Sequence, residues 1–150
     1  AIEEMFQTDA AERGLSLRRV PSTLEAPVNA LLATRILSNL VANAIKYTEI
    51  GGVLIGTRRR GDTLRIEVHD TGPGMSRADF ETARKRRVRL DRNGAPLRKG
   101  HGLGLAIAID LAERNGLRIE HLDWLQLRRN GHLAAQFLWT DKWEGHWKYA

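Results

Sequence analysis

The chain has 150 residues, of which 42% are hydrophobic, so it has the length and apolar content of one globular domain rather than of a disordered chain. It has no cysteine, which excludes disulfides, thiol nucleophiles and cysteine-based zinc sites, and it has no run of the roughly 18 apolar residues that a membrane span needs. The formal charge of +6 arises from segment 84–99, which holds eight basic residues and one acid. Such a short segment predicts a basic loop near a phosphate or an acidic partner rather than a domain-wide nucleic-acid surface.

Hydrophobic spacing and turn residues predict nine elements. In chain order they are a helix over 2–13, a strand over 15–20, a helix over 29–48, a hairpin of strands over 53–59 and 63–69, helices over 76–87 and 103–114, and strands over 117–122 and 132–139. The helix over 29–48 is expected to bury one side, formed by Leu37, Leu40, Val41, Ala44 and Ile45. This order predicts an α+β fold, a two-layer α/β sandwich with a mixed β-sheet covered by helices on one face.

A first candidate motif lies near the end of the long helix. Asn39, Asn43 and Lys46 follow at i, i+4 and i+7, so they share one stripe, away from the predicted core side. Asparagine is a mediocre helix former, and two of them within one helix indicate a role for the amide groups. Their oxygens suit Mg²⁺, which takes few protein ligands, and a lysine adds a point charge for phosphate. The alternative is an ordinary solvated polar face.

A second motif, 70–74, reads Asp-Thr-Gly-Pro-Gly and follows a half-buried strand. A carboxylate at a strand end can accept a hydrogen bond from the exocyclic amine of a base such as adenine. Gly72 and Gly74 would let the backbone approach a flat ring. The alternative is a plain Gly-Pro turn with a capping Asp70.

A third motif, 100–105, reads Gly-His-Gly-Leu-Gly-Leu and leads into an apolar helix. Glycines before a helix expose backbone N–H groups at the positive end of the helix dipole, which attracts anions. The motif does not follow a strand, as a Rossmann fingerprint would, and it lacks the Gly-Lys-Ser/Thr of a P-loop.

In this order, the three motifs resemble the N, G1 and G2 boxes of the catalytic ATP-binding (HATPase) domain of two-component sensor histidine kinases. These kinases belong to the gyrase–Hsp90–histidine kinase–MutL (GHKL) superfamily, whose ATP-binding fold is the Bergerat type. The resemblance covers about 15–139, and the neighbouring sequences Arg-Ile-Leu at 35–37 and Lys-Tyr-Thr at 46–48 are typical of the kinase branch.

The resemblance implies a site for ATP and Mg²⁺ and residues that form it. Asn43 would ligate Mg²⁺, with Asn39 as a possible second metal ligand, while Lys46 would contact phosphate and Asp70 the adenine amine. Tyr47 would pack on the base or ribose. The full implied ATP-binding set is Asn39, Asn43, Lys46, Tyr47, Asp70, Gly72, Gly74, Gly100, Gly102, Leu103, Gly104 and Leu105; no residue is assigned as a certain catalytic group.

Two positions distinguish this chain within the superfamily. Hydrolase members carry a glutamate four residues before the asparagine equivalent to Asn43, as a base for water, whereas this chain has Asn39. The sequence therefore favours phosphoryl transfer over hydrolysis. The aromatic F box of the kinases is replaced by the basic stretch 83–90, with only Phe80 nearby, so the lid over ATP is expected to dock differently.

The resemblance implies a protein-histidine kinase that transfers the γ-phosphoryl group of ATP to a histidine on a separate dimerisation and phosphoacceptor helical domain, with a response regulator downstream. The five histidines, at 69, 101, 121, 132 and 146, do not match that family's phosphoacceptor. The alternative is a degenerate kinase-like domain that acts as a regulatory protein-binding module, and nucleic-acid binding is not expected.

The expected domain organisation has three parts. Residues 1–14 are the end of an upstream helix or linker, residues 15–139 are the catalytic domain, and residues 140–150 are a tail without assigned role. No charged-then-apolar leader follows Ala1, so no signal peptide is expected. Because the chain starts without Met, we expect it to be a processed or excised piece of a longer protein. We expect it in the cytoplasm, with membrane attachment only through a parent sensor.

Overall fold

A computed structural model describes residues 2–25, 28–60, 63–72, 76–85 and 104–120 of the chain. The elements in these ranges are α1 (Ile2–Glu12), β1 (Ser16–Arg19), α2 (Ala30–Tyr47), β2 (Gly52–Arg60), β3 (Thr63–Asp70), α3 (Arg77–Lys85) and α4 (Gly104–Arg114). Within one or two residues at each end, they match the elements predicted over 2–85 and over 103–114. None of these helices combines the length and the apolar content that crossing a bilayer requires.

The strands in the described ranges form a mixed sheet in the order β1-β2-β3. Strand β1 pairs with β2 in parallel, with Leu17 opposite Val53. Strand β3 pairs with β2 in antiparallel register, and this register sets Asp70, the last residue of β3, opposite Val53. The predicted mixed sheet is confirmed, and its register brings the end of β3 beside the start of β2.

One face of the sheet packs against α1 and α2. Val53 and Ile55 of β2 share a buried cluster with residues of both helices, as a two-layer sandwich requires. This cluster, the sheet core, comprises Ala10, Leu15, Leu17, Val41, Ala44, Ile45, Val53 and Ile55, with Ile2, Phe6 and Val68 packed against it. Full burial of a valine such as Val41 or Val53 contributes about 1.5–3 kcal/mol.

A second buried cluster joins α2 to α4. This cluster, the helix core, comprises Ile36, Ala106, Ile107, Ala108, Leu111 and Ala112, with Leu32, Leu40, Leu117 and Ile119 packed against it. Alanines at the contact let two helices approach closely. Helix α2 thus contacts the sheet on one side and α4 on another, so it bears two apolar stripes.

The ends of the helices follow from local sequence. The side chain of Asn29 accepts a hydrogen bond from the backbone N–H of Leu32 at 3.1 Å, which caps the start of α2. Helices α1 and α4 end before Gly14 and Gly116, whose φ angles are 68° and 71°, in the left-handed region that glycine adopts without strain.

Two expectations from sequence are wrong. Leu37 is only half-buried, while Ile36 is buried in the helix core, because α4 covers a side of α2 that a single-stripe pattern leaves to solvent. The strand predicted over 117–122 is not formed at 117–120. Leu117 and Ile119 pack against the helix core, and the predicted strand over 132–139 lies outside the described residues.

Several predicted features lie outside the described residues. These are the strand over 132–139, the tail over 140–150, most of the basic segment 84–99 and part of the second and third motifs.

Candidate functional site

The two asparagines of α2 face the beginning of α4. A Cβ atom built on Gly104 would lie 3.0 Å from Oδ1 of Asn43 and 3.6 Å from Oδ1 of Asn39. The first distance is shorter than ordinary van der Waals contact, so a side chain at residue 104 would require the Asn43 amide or the start of α4 to shift by a few tenths of an ångström. The structure therefore brings the first and third sequence motifs together, with both amide oxygens directed at one point.

A hydrogen bond explains how the Asn39 amide is oriented. The Nδ2 of Asn39 donates to the backbone carbonyl of Arg35 at 3.0 Å, one helical turn earlier, which leaves its oxygen toward Gly104. The Asn43 amide has no hydrogen-bond partner among the described residues. Both side chains are partly exposed.

The start of α4 supplies a different kind of group. Gly104 is the first residue of an eleven-residue helix, and the first four backbone N–H groups of a helix lack partners within it. These groups and the helix dipole favour a negatively charged ligand near the Asn39 and Asn43 oxygens. Leu105 is half-buried in the same turn. Four predicted site residues, Gly74, Gly100, Gly102 and Leu103, lie outside the described residues.

A cation and an aromatic ring mark the C-terminal end of α2. Lys46 and Tyr47 are exposed, and Nζ of Lys46 lies 5.2 Å from the centroid of the Tyr47 ring, within range of a cation–π contact. The guanidinium of Arg13 donates to the carbonyl of Lys46 at 3.0 Å. This bond satisfies one of the carbonyls left free at the helix end, and the Lys46 ammonium stays in solvent.

The second motif lies beside the same end of α2. Oδ1 of Asp70 accepts a hydrogen bond from the backbone N–H of Gly72 at 2.8 Å. A Cβ atom on Gly72 would lie 2.9 Å from that oxygen and 3.2 Å from both Oγ1 of Thr48 and the carbonyl of Tyr47. The turn after β3 therefore packs tightly against the end of α2, and a larger residue at 72 would displace Asp70.

A threonine that the sequence analysis did not single out fixes this turn. The hydroxyl of Thr71 donates to the carbonyl of Ile50 at 2.7 Å and accepts from the N–H of Gly52 at 3.0 Å. Its backbone N–H donates to the carbonyl of Gly52 at 3.2 Å. These bonds join the residue after Asp70 to the loop that follows α2. The one signal of this role in the sequence is the position of Thr71 directly after Asp70, where a hydroxyl can bond nearby backbone groups.

Strand β3 also carries a buried carboxyl group, on the sheet face away from the sheet core. The side chain of Glu67 lies 3.1 Å from Nε2 of His69 and 3.6 Å from both Nε of Arg58 and Nη1 of Arg65. Burial by itself raises the pKa of Glu67, but the hydrogen bond to His69 and the nearby positive charges outweigh it and hold that pKa below 4.5. The cluster ties β3 to β2 just before Asp70.

The geometry agrees with comparisons to known proteins. Residues 28–133 match the family described as histidine kinase-, DNA gyrase B-, and HSP90-like ATPase. A sensor-like histidine kinase of Rhizobium meliloti is 33% identical over 77% of this chain and 23% of its own length. The signal transduction histidine-protein kinase BaeS of Escherichia coli is 30% identical over 76% of this chain and 25% of its own.

A solved structure of full-length ShkA in complex with AMPPNP is 28% identical, with a TM-score of 0.56, and matches 77% of this chain and 24% of that protein. The match to the family model covers most of the chain, and the chain belongs to this family of ATPases. It is an ATP-binding catalytic domain of the sensor histidine kinase type, with the Bergerat fold, as its three motifs predicted. The chain spans about a quarter of the length of the curated relatives named here.

Proposed function

We propose that this domain binds Mg·ATP between α2, the turn after β3 and the start of α4, and transfers the γ-phosphoryl group to a histidine of a helical phosphoacceptor domain. The observation that carries the proposal is the meeting of three motifs across two glycines. Gly104 brings the start of α4 to Asn43, and Gly72 brings Asp70 to the end of α2. We propose that the Asp70 carboxylate, the two amide oxygens and the N-terminus of α4, each held next to α2 by one of these glycines, border one site.

The donor set fits magnesium. Two neutral amide oxygens, of Asn43 and Asn39, face the start of α4, and Mg²⁺ usually keeps several waters while taking one or two protein oxygens together with substrate phosphates. We propose Asn43 as the principal ligand and Asn39 as the second. When bound, magnesium neutralises phosphate charge as the phosphoryl group leaves.

The other residues would bind and orient the nucleotide. Asp70 would accept a hydrogen bond from the adenine amine with the carboxylate oxygen that Gly72 does not hold. The exposed Tyr47 ring would pack on the base or ribose, and the Lys46 ammonium would contact phosphate as a point charge. The N–H groups of Gly104 and Leu105, at the start of α4, would donate to phosphate oxygens, with Gly74, Gly100, Gly102 and Leu103 completing the proposed pocket.

Phosphoryl transfer is favoured over hydrolysis because the side chain that would face the phosphates, Asn39, is an amide and not a carboxylate. Hydrolysis by a general base needs a group that accepts a proton from water, and an amide does not do this at neutral pH. Asn39, one turn before Asn43 and directed at Gly104, is an amide. The work of this domain would then be to position the triphosphate and to neutralise its charge.

The proposed partners are those of a sensor kinase. The phosphoacceptor would lie on a dimerisation domain of the same or a partner kinase, with a response regulator receiving the phosphoryl group. We propose that this happens in the cytoplasm, where ATP is available, and that residues 1–14 connect the domain to the segment before it, with 15–139 as the catalytic unit and 140–150 as a tail.

Calorimetric titration with AMPPNP, with and without Mg²⁺, tests the nucleotide site. We expect binding that strengthens with Mg²⁺, and we expect Asn43→Ala to remove that Mg²⁺-dependent gain without loss of cooperative unfolding, since this side chain is outside both cores. Ser38→Ala is the matched control, because its hydroxyl only bonds the Thr34 carbonyl of its own helix. A domain that binds no nucleotide would instead be the regulatory binding module.

Phosphotransfer needs a separate assay. The domain is mixed with a histidine-bearing helical hairpin from a sensor kinase and labelled ATP. Acid-labile phosphate on the hairpin histidine is the expected product. Suppose that the domain binds Mg·AMPPNP but releases inorganic phosphate from ATP at the same rate with or without the hairpin, and that the hairpin stays unlabelled. This result would contradict the proposed transfer.

A further inference from the structure

Thr48, the residue that caps the C-terminal end of α2, has a buried hydroxyl group without a hydrogen-bond partner in the described part of the chain. Its side chain is fully buried, and none of the described residues forms a hydrogen bond with its Oγ1. Its backbone N–H is satisfied by the carbonyl of Ala44 at 3.1 Å, so the backbone geometry of the cap does not need the hydroxyl. A buried polar group without a partner lowers stability, and a valine of the same shape would avoid that cost.

The position of this hydroxyl relates it to the second motif. Oγ1 of Thr48 and Oδ1 of Asp70 lie 3.2 Å and 2.9 Å from the same point, where a Cβ of Gly72 would be. The space beside Gly72 is therefore bordered by the unused hydroxyl and by the carboxylate. A hydroxyl can donate one hydrogen bond, and an ionised carboxylate can accept more bonds than the one that Gly72 gives to Oδ1.

We propose that Thr48 is a positioning residue for Asp70. Its hydroxyl donates to Oδ1 when nucleotide is bound, next to the N–H of Gly72, so that the other carboxylate oxygen is presented to the base. This inference rests on the proposed role of Asp70 in adenine binding. It explains why a donor stands at a buried position where an apolar group of equal size would be more stable.

Two substitutions separate this role from a structural one. Thr48→Val removes the hydroxyl and keeps the shape, whereas Thr48→Ser keeps the hydroxyl. We expect Thr48→Val to weaken AMPPNP binding about tenfold, as loss of a hydrogen bond to a charged group does, with an unfolding temperature equal to or above that of the unsubstituted domain. Thr48→Ser should bind within about twofold of the unsubstituted domain, since the donor that the carboxylate requires is retained.

A matched control and a double substitution sharpen the test. Thr34→Val removes a hydroxyl from the other end of the same helix, where it bonds the carbonyl of Ala30 at 2.8 Å, and should leave binding unchanged. In an Asp70→Asn background, Thr48→Val should cause little further loss, because both changes act on one interaction. Additive losses would overturn the proposal, and so would nucleotide binding by Thr48→Val equal to that of the unsubstituted domain.

Failure of this inference is distinguishable from failure of the proposed function. If the unsubstituted domain binds no AMPPNP, the proposed function is wrong. If it binds and Thr48→Val binds equally well, only the role of Thr48 is wrong. Should Thr48→Val not unfold cooperatively, Thr48→Cys replaces it, because a thiol is a weaker donor of similar size; binding equal to that of the unsubstituted domain would again overturn the proposal.

Discussion

Asp70 shows how one backbone contact prepares a side chain for recognition. The N–H of Gly72 occupies one carboxylate oxygen at 2.8 Å, and Thr71 ties the adjacent backbone to the loop after α2. The carboxylate is thereby held at the end of a paired strand before any ligand arrives. Such preorganisation lowers the entropic cost of binding, so substitutions at Asp70 are expected to change affinity more than stability.

Asp70→Asn should weaken ATP strongly, because an acceptor-only group is replaced by an amide that also presents donors to the donating adenine amine. Loss of one hydrogen bond to a charged group costs about 1.5–3 kcal/mol. Calorimetry with AMPPNP measures it. GTP should bind poorly to the unsubstituted domain, since guanine presents a carbonyl where adenine presents an amine.

The exposed Asp9 of α1 offers the control for this change, since Asp9→Asn alters the net charge equally and should leave affinity unchanged. Equal affinity of the unsubstituted domain for ATP and GTP would count against the assignment of Asp70.

At the scale of elements, α2 determines both the core and the site. One side packs in the sheet core, another in the helix core, and the remaining stripe carries Asn39, Asn43 and Lys46. Residue spacing alone predicts the helix and the polar stripe correctly. It does not show that a second helix covers Ile36, because the sequence of α2 carries no information about where α4 crosses it.

Gly104→Ala tests the close approach of α4 to α2. Alanine is the better helix former by about 1 kcal/mol, so the substitution should not destabilise α4 itself. Its Cβ would lie 3.0 Å from Oδ1 of Asn43 and should force that amide or the helix start to shift. We expect Mg²⁺-dependent binding of AMPPNP to fall at least about tenfold while the unfolding temperature changes little, measured by calorimetry and circular dichroism.

Glu113→Ala is the control for Gly104→Ala, because Glu113 is exposed on the same helix. A substitution at Ala108 would not serve, since Ala108 is buried in the helix core. Undiminished metal-dependent binding by Gly104→Ala would show that the space at residue 104 has no role in the site.

The Glu67 cluster on β3 predicts a pH-dependent contribution to stability. The pKa of Glu67 is held below its ordinary value of 4.5, so the unfolded chain binds the proton more readily than the folded one. The stabilisation is therefore fully present above pH 4.5 and is lost as the pH falls through the lowered pKa of the folded state. Glu67→Gln should destabilise the domain by about 1–3 kcal/mol at neutral pH, with the difference shrinking under acid conditions.

Urea unfolding at neutral pH and at about one pH unit below the ordinary carboxyl pKa measures this difference. Glu120→Gln is the comparison, since Glu120 forms an exposed ion pair with Arg118 at 2.7 Å, and such pairs contribute little. A destabilisation by Glu67→Gln that is independent of pH would mean that packing, not charge, is what the substitution removes.

For the whole molecule, the fold class could be predicted because hydrophobic spacing and alternation are local patterns with a physical cause. The three motifs are equally local and could be read directly from the sequence. Alternation gave the hairpin, and helical spacing gave α1, α2 and α4. The same alternation at Leu117 and Ile119 is not matched by a strand at 117–120, where both residues pack against the helix core. The position of Thr48 beside the turn after Asp70 could not be predicted, since it depends on how the end of α2 meets the end of β3.

The proposed ligand would contact residues next to both the sheet core and the helix core, and this leads to a prediction about hydrogen exchange. Asp70 lies beside the sheet core and Gly104 begins the helix that forms the helix core, so one ligand that contacts both should join α4 to the rest of the domain. We expect hydrogen exchange at the backbone amides of the first turn of α4 to slow markedly with Mg·AMPPNP, because phosphate would accept bonds from N–H groups that the helix leaves free. Amides of α1 and β1, which carry none of the proposed site residues, should change much less. Mass spectrometry of exchanged peptides reports both regions at once, with Asp70→Asn as the variant in which the change in α4 should shrink.

Slowing of equal size in both regions would indicate only a general gain in stability from binding. Unchanged exchange in α4, in a domain shown to bind the nucleotide, would mean that the start of α4 is not part of the site.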